Sequence, residues 1–504
     1  MKNKTVSKLL ASVVCAAMAL SMAGCGESGT STSASASAST KTETSVSAST
    51  ETSVSEENKV EEPSYDFGGR VVRIGSYYDM TPDPNAGALE AALAARIAEV
   101  ESKYNCKIEF LPIEGDYVAQ YVTSVLAGEP ICDIGYVVTT TLLPSLIEGG
   151  IAQPLSDLKY TDGDRAGQQI LDLDDYKWRS DVVEAGRYKG KNYSMLLKDP
   201  EIRYGIFWNK TLFDKYGLPN LYDLVDSGEW TWDKLKEIAT LGNQDTDGDG
   251  EIDLYGFNAR ENLAWCYLYS DGAYVAEKTD DGIKIDLSDP KVAEALTGYQ
   301  DFAQNVKFRN AIDWSVEGWD SFIKDFRDGK YCMCLEEFWI SYAYLNKAEE
   351  GMQDDWGWVP FPKGPSAKGW SCYGKENGAR FMLNGIDKPE EVALIYDLIT
   401  DIAVSDDEWD ELMEDKLDNW CDDAKTVELV SNIYNNKLSV INGVNGFGDL
   451  NGTINEMIGK VSSGELTPQV ALDTYQSAID AAIADISNHD YKADMQEYTV
   501  EKTE

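Results

Sequence analysis

The chain of 504 residues is poor in histidine, in basic charge and in long apolar runs. Its one histidine, His489, lies close to the C-terminus. A Ser-His-Asp triad, a Cys-His pair or a histidine zinc site would each have to use it. A residue so near a chain end reads as solvated, so most histidine-based catalysis is excluded. Lys and Arg number 44 against 88 Asp and Glu, a formal net charge of −44. Such a field repels nucleic acid and anionic lipid headgroups and disfavours phosphorylated ligands, which leaves neutral or cationic cargo. Past the N-terminal stretch, no run approaches the roughly 18 apolar residues that a membrane-spanning helix needs. Cysteine forms no zinc-ribbon spacing. Seven remain beyond Cys15 and Cys25, namely Cys106, Cys132, Cys266, Cys332, Cys334, Cys372 and Cys421. An odd number leaves at least one thiol free in an exported protein, and mostly buried, reduced thiols are expected.

Aromatic residues, by contrast, are abundant: 13 Trp and 28 Tyr supply planar surface for a core or for gripping a ligand. The N-terminus is also distinctive. Lys2, Lys4 and Lys8 precede an apolar run from Leu9 to Leu20, then Ser21-Met22-Ala23-Gly24-Cys25. This is a basic region, an apolar stretch too short to span a bilayer, and a small-residue cleavage site. It is similar to the bacterial lipobox, which implies that Cys25 is lipidated and becomes the mature N-terminus. From Gly26 to about Glu62 the chain is rich in Ser, Thr, Ala and Glu, a composition that cannot offset chain entropy and predicts disorder. As a flexible coil it would span about 35 Å, enough to hold a folded head off a membrane.

The head opens with a strand at Val71–Ile74, a helix over about Ala86–Tyr104, a strand at Lys107–Leu111, a helix Asp116–Ala127 and a strand Ile131–Val138. Strands alternating with helices predict an α/β domain with a mainly parallel sheet, in which ligands sit at the carboxyl ends of the strands. A second unit starts with the strand Arg203–Trp208, and further helices follow at 231–241, 290–306, 321–328, 389–402 and 467–486. The segment Asp245-Thr246-Asp247-Gly248-Asp249-Gly250-Glu251-Ile252-Asp253 matches the start of a calcium loop: acids at positions one, three and five, glycine at six, an apolar residue at eight. Position twelve is Gly256, so the bidentate Glu is missing and Asp253 or a remote carboxylate would complete the shell. The expected metal set is Asp245, Asp247, Asp249, Glu251 and Asp253, holding a structural Ca²⁺; no organic cofactor is expected.

The order of several segments resembles the extracellular solute-binding proteins of carbohydrate ABC importers, the group containing maltodextrin-binding protein. They are Glu99–Tyr104 into Cys106-Lys107-Ile108, Leu126-Ala127-Gly128 with Cys132-Asp133-Ile134, Trp208-Asn209-Lys210-Thr211-Leu212-Phe213, Gly228-Glu229-Trp230-Thr231-Trp232, Phe326–Lys330 leading to Met333, and Val359–Pro365. The similarity runs from about residue 68 to 487. It implies a type II periplasmic-binding-protein-like α/β fold of two lobes, joined by a multi-strand hinge and closing on sugar in the cleft between them. Crossings are expected near 200–205, 375–380 and 430. The implied layout is a leader 1–24, a tether 25–62, a first lobe 63–202 plus 376–430, a second lobe 203–375 plus 431–490, and a tail 491–504.

Sugar recognition needs aromatic faces against pyranose C–H surfaces, and polar groups around the edge. Trp339 follows a predicted strand (Tyr331–Leu335), and its spacing from Gly329 matches the family's stacking Trp. Its neighbours Glu336 and Glu337 would accept hydroxyls. Glu261, Asn262 and Trp265 precede an Asp271-Gly272 turn where related proteins use an acid and an aromatic ring. Thr140, within three hydroxyls after the strand ending at Val138, and Tyr77 and Asp79 after the first strand are first-lobe candidates. Trp370 and Tyr373 would line the rim.

These features predict a monomeric lipoprotein on the outer face of a Gram-positive cell membrane. It would capture a neutral sugar or oligosaccharide for ABC permease subunits, without catalysis and without nucleic acid. Rival readings are a peptide or polyamine receptor, whose cationic ligands would suit the negative surface, a capture protein with no permease, and a glycan-active enzyme. The last would need two carboxylates about 5–9 Å apart, such as Glu336 with Glu261.

Overall fold

The computed structural model describes residues 65–500 apart from 260–261, 280–281, 309–317, 348, 442–443 and 445. The leader, Cys25, the tether and Glu261 lie outside the described residues. Within Arg70–Ser76 (β1), Val72 and Ile74 are buried while Arg73 between them is exposed, the period-two pattern of a strand with one face in a core. Helix α1 (Ala88–Tyr104) follows and stops at Asn105, whose φ of 52° is the left-handed turn that Asn tolerates. Then come β2 (Cys106–Pro112), α2 (Tyr117–Leu126), β3 (Ile134–Val138) and β4 (Ala152–Gln153). The Asp116 side chain caps α2 by accepting from the Ala119 amide at 2.9 Å.

The second lobe contributes β5 (Tyr204–Asn209), β6 (Asn258–Ala259), α3 (Leu263–Ser270), α4 (Pro290–Asn305), β7 (Met333–Glu337) and β8 (Trp356–Pro360). Beyond lie β9 (Cys372–Tyr373), β10 (Gly378–Leu383), α5 (Pro389–Thr400), α6 (Asp406–Trp420), α7 (Ala424–Asn435) and β11 (Ser439–Val440). Helices α8 (Gly448–Ser462), α9 (Pro468–Asn488) and α10 (Tyr491–Val500) end the described chain.

Two sheets organise the lobes, in the orders β2-β1-β3-β10-β4 and β8-β5-β7-β6. The sequence predicts mainly parallel sheets, and this holds for β2, β1 and β3. In the first sheet β10 runs antiparallel to β3, and in the second β5 runs antiparallel to both β7 and β8. The reason is the crossing between lobes. A strand entering a lobe from the cleft runs away from it, while β3, β7 and β8 run toward it: Gly378 pairs with Val138, and Glu337 with Tyr204. At Gly205, a Cβ would lie 2.2 Å from the Trp358 ring, so that approach of strand to ring requires glycine.

The chain passes between sheets at 203–204 and again between β9 and β10. It passes once more between α6, which packs on α1, and α7, which packs on β8. That last passage falls at 421–423, earlier than the expected 430. Residues 491–500 are more than a tail. They form α10, which packs on α2 of the first lobe with Met495 2% exposed, while α9 packs on α8 and α4. No helix among the described residues is long and apolar enough to cross a membrane.

Candidate ligand cleft

The strands that end at the cleft deliver aromatic rings there. Beyond β1, Tyr77 and Tyr78 have ring centroids 4.9 Å apart; Tyr117 at the start of α2 lies 5.1 Å from Tyr77, and Tyr136 of β3 lies 6.0 Å from it. Tyr77 is 50% exposed and Tyr78 42%. Burial raises the pKa of the Tyr77 phenol, and the charges of Arg203, Glu201 and Glu376 also act on it, which sets this tyrosine group beside the interlobe crossings. On the second lobe, Trp339 is partly buried, 6.1 Å from the half-exposed Trp319 and 5.8 Å from Tyr344. Tyr342 lies 4.5 Å from Trp420 and is influenced by Glu201, Asp199 and Tyr78.

A polar floor joins these groups. Arg203 NH1 donates to Glu337 Oε2 at 2.6 Å and lies 3.1 Å from Glu201 Oε1; its Nε donates to Asn377 Oδ1 at 2.8 Å. Asn377 Nδ2 donates to Asp181 Oδ2 at 2.8 Å, and Arg179 grips Asp181 through Nε and NH2. Thr140 Oγ1 donates to Glu376 Oε2 at 2.6 Å. Lys416 pairs with Asp199 at 2.6 Å. Burial alone would push the Glu337 carboxyl up, but the Arg203 charge and the Tyr204 hydroxyl hold it below its ordinary value. At Glu201 burial wins over Arg203, and its pKa is raised. Two of the cavities between the lobes are of ligand size. One of about 440 Å³ is lined by Thr140, Leu143, Ser180, Glu184, Lys437 and Val440. The other, about 420 Å³, is lined by Tyr78, Asp79, Glu201, Arg203, Tyr342 and Trp420. Both fall in the size range of ligand sites, about 300–1,000 Å³.

Of the residues singled out from the sequence, Trp339, Glu337, Tyr77 and Thr140 come together here. Glu336 does not join them. Strand β7 runs on to Glu337 rather than stopping at Leu335, so the adjacent acids alternate: Glu337 meets Arg203, while Glu336 is 0% exposed within the second lobe near Cys266. Trp265 and Tyr373 are buried and stack on each other at 6.0 Å and 10°, with Tyr204 5.6 Å from Tyr373. They form a column under the floor, not a rim. Asn262 Nδ2 donates to the Tyr204 hydroxyl at 2.9 Å and belongs to the same column. Asp79 borders the second cavity, but its carboxylate is used in a local turn to Thr81 at 2.9 and 2.7 Å. Trp370 sits in the loop after β8, under the Lys363 ammonium at 4.8 Å.

Sequence reasoning missed Arg203, Glu201, Glu376, Asn377, Trp319 and the partners of Tyr77. The predicted crossings at 200–205 and 375–380 were the available signal for the first four; Trp319 carries no motif.

In the acidic loop, carboxylate oxygens of Asp245, Asp247 and Asp253 lie within 4.8 Å of one another. Asp249 and Glu251 stand outside that group, and Asp249 instead accepts from the Glu251 amide at 2.8 Å. The loop lies at the end of the second sheet away from the cleft, since Tyr255 bridges Tyr331, from which β7 runs toward Glu337.

A family profile described as bacterial extracellular solute-binding protein matches residues 95–393. Among solved structures, a cyclo/maltodextrin-binding protein complexed with maltotetraose superposes with a TM-score of 0.57 at 16% identity, covering 82% of this chain and 97% of that one. An ABC substrate-binding protein from Listeria monocytogenes in complex with cycloalternan gives 0.53 at 16%, covering 82% and 99%. The GacH receptor of Streptomyces glaucescens, solved unliganded and with acarbose, gives 0.53 at 17%, covering 83% and 99%. No curated protein sequence matches. At these identities the superpositions establish the two-lobe fold.

Proposed function

The chain belongs to the bacterial extracellular solute-binding proteins, and on that premise we propose that it captures a neutral sugar or oligosaccharide between its lobes and delivers it to the permease of an ABC importer. The observation that carries this reading is the pair of aromatic groups, Tyr77–Tyr78 on one lobe and Trp319–Trp339 on the other, flanking a polar floor. Rings offer faces to pyranose C–H groups, while Glu201, Glu376 and Thr140 offer partners to hydroxyls. Arg203, Arg179 and Lys416 already meet carboxylates, so these cations are engaged within the floor and it favours an uncharged ligand over an anionic one. The solved relatives named above hold maltotetraose, cycloalternan and acarbose, all saccharides or saccharide-like, which supports the same class.

The family is one of extracytoplasmic binding proteins. In this reading the chain acts without catalysis, as a monomer held to the outer face of the membrane by lipid on Cys25, and the 245–253 loop takes a structural calcium ion away from the ligand. The lipobox-like sequence and the convergence of Asp245, Asp247 and Asp253 support those two points.

A thermal-shift screen against oligosaccharides, monosaccharides, peptides and polyamines tests the function. Ligand at about 100 times its Kd should add about 2.7 kcal/mol of stability. A shift with neutral sugars that persist unchanged supports the reading. Shifts only with amines or peptides, or consumption of the sugar, would replace it with a different receptor or an enzyme.

A further inference from the structure

No motif marks Arg203, yet three segments meet on it. It precedes β5 in the crossing that leaves the first lobe. Its NH1 reaches Glu201, two residues earlier in the same crossing, at 3.1 Å. Its Nε donates to Asn377 Oδ1, in the crossing that returns, at 2.8 Å. The same NH1 donates at 2.6 Å to Glu337 Oε2, at the end of β7, and that oxygen also accepts the Trp339 Nε1–H at 3.1 Å. The Arg203 and Glu337 side chains retain 13% and 10% of their exposure. The Tyr204 hydroxyl is a further partner of Glu337.

A shielded ion pair is a poor source of net stability, because desolvation offsets most of the attraction. What a guanidinium does supply is geometry: its donors are fixed in one plane, so that Nε held by Asn377 sets where NH1 meets Glu337. An indole tilted at 36° to Trp319 and set edge-to-face with Tyr344 retains freedom to rock unless its N–H is tied, and Glu337 ties it. A ring face fixed before the ligand arrives costs less to order on binding. The arginine is also anchored in two of the three crossings, the segments whose backbone must change when the lobes move.

We propose that Arg203 is a positioning residue: through Glu337 it sets the plane of Trp339, and through Glu201 and Asn377 it couples that plane to two of the three interlobe crossings. This rests on the cleft being the ligand site. Stacking on Trp339 then favours one disposition of the lobes over another, which is the differential affinity that closure requires.

The test reads Trp339 directly. In protein labelled with 5-fluorotryptophan, the Trp339 fluorine resonance is assigned by its loss in Trp339→Phe, with Trp265 as a buried control. Without any ligand, Arg203→Met should shift and broaden the Trp339 resonance while leaving Trp265 in place, and Arg203→Lys should restore part of it. An unchanged Trp339 resonance overturns the proposal. Should Arg203→Met not fold, Glu337→Gln with Arg203→Lys gives the same reading. With maltotetraose as probe, Arg203→Met should lose at least about tenfold in affinity where Trp339 is present. In the Trp339→Phe background the loss should be under about threefold, because the two residues act through one contact. Equal losses in both backgrounds also overturn it. If wild type ignores maltotetraose, that result rules out only this sugar as the ligand, while the fluorine resonance still decides the role of Arg203.

Discussion

Trp339 and Arg203 share a single acceptor atom: Glu337 Oε2 takes the indole N–H at 3.1 Å and the guanidinium at 2.6 Å. The Trp339 ring is therefore tied to the residue that binds two of the crossings together. Glu337 can serve both because β7 ends there and turns its side chain away from the second lobe's interior, where Glu336 points.

Trp319 and Trp339 should differ when truncated. Trp319 is 51% exposed, so Trp319→Ala should leave the ligand-free melting temperature almost unchanged. Trp339 packs against the core and Tyr344, and Trp339→Ala should cost about 1–3 kcal/mol of stability. Each should weaken ligand binding by at least about 30-fold, as for a central aromatic hot spot. Calorimetric titration with the sugar found by thermal shift measures both. Unaltered affinity in either variant would remove that ring from the site.

Trp265 should behave as core. It is 3% exposed, stacks on Tyr373, and donates to Asn455 Oδ1 at 3.1 Å. Trp265→Ala should cost about 3–5 kcal/mol in urea denaturation. A stable variant that binds ligand poorly would instead place this ring in the cleft.

Asp271 predicts a pH dependence. The residue is fully buried beside Glu294, its Oδ1 accepts from the Ser366 amide at 2.8 Å, and its pKa is pushed up to about 6, by burial first and then by Glu294. Because the folded value lies above the ordinary 3.8, the folded protein holds this proton more tightly than the unfolded chain. The contribution is complete below about pH 3.8 and is lost as pH rises through about 6. Asp271→Asn should therefore gain melting temperature relative to wild type as pH rises across that window. A constant difference between the two proteins would mean the carboxyl is not perturbed.

The acidic loop offers a separable test. Calcium should raise the melting temperature of wild type, chelator should reverse it, and Asp247→Asn should abolish the response without altering sugar affinity. Asp249→Asn should matter less, since Asp249 stands outside the converging group. Identical melting curves with calcium and with chelator would show the loop to be an acidic turn without an ion.

Much of the fold was legible in the sequence because it is locally encoded. The alternation in β1, the capped start of α2 at Asp116 and the left-handed stop at Asn105 depend on residues a few positions apart. The order of such segments sufficed to anticipate two lobes. Single-residue boundaries were less legible: ending β7 at Leu335 instead of Glu337 removed the alternation that separates Glu336 from Glu337. The parallel expectation failed at β10 and β5 because strand direction there follows from where the chain re-enters a lobe, which no local pattern encodes.

The sequence by itself determined the run of elements from β1 to β3 and the acidic charge of the chain. Only the tertiary structure decided which aromatic rings lie beside the cleft and which are core. Trp265 and Trp339 look alike in sequence, each a Trp near a turn, yet one lies under the floor and the other beside the cleft. It also decided the floor itself. Thr140 meets Glu376 across 236 positions and Arg203 meets Glu337 across 134, contacts set by how two sheets dock, whereas sequence patterns report only the sterics of near neighbours.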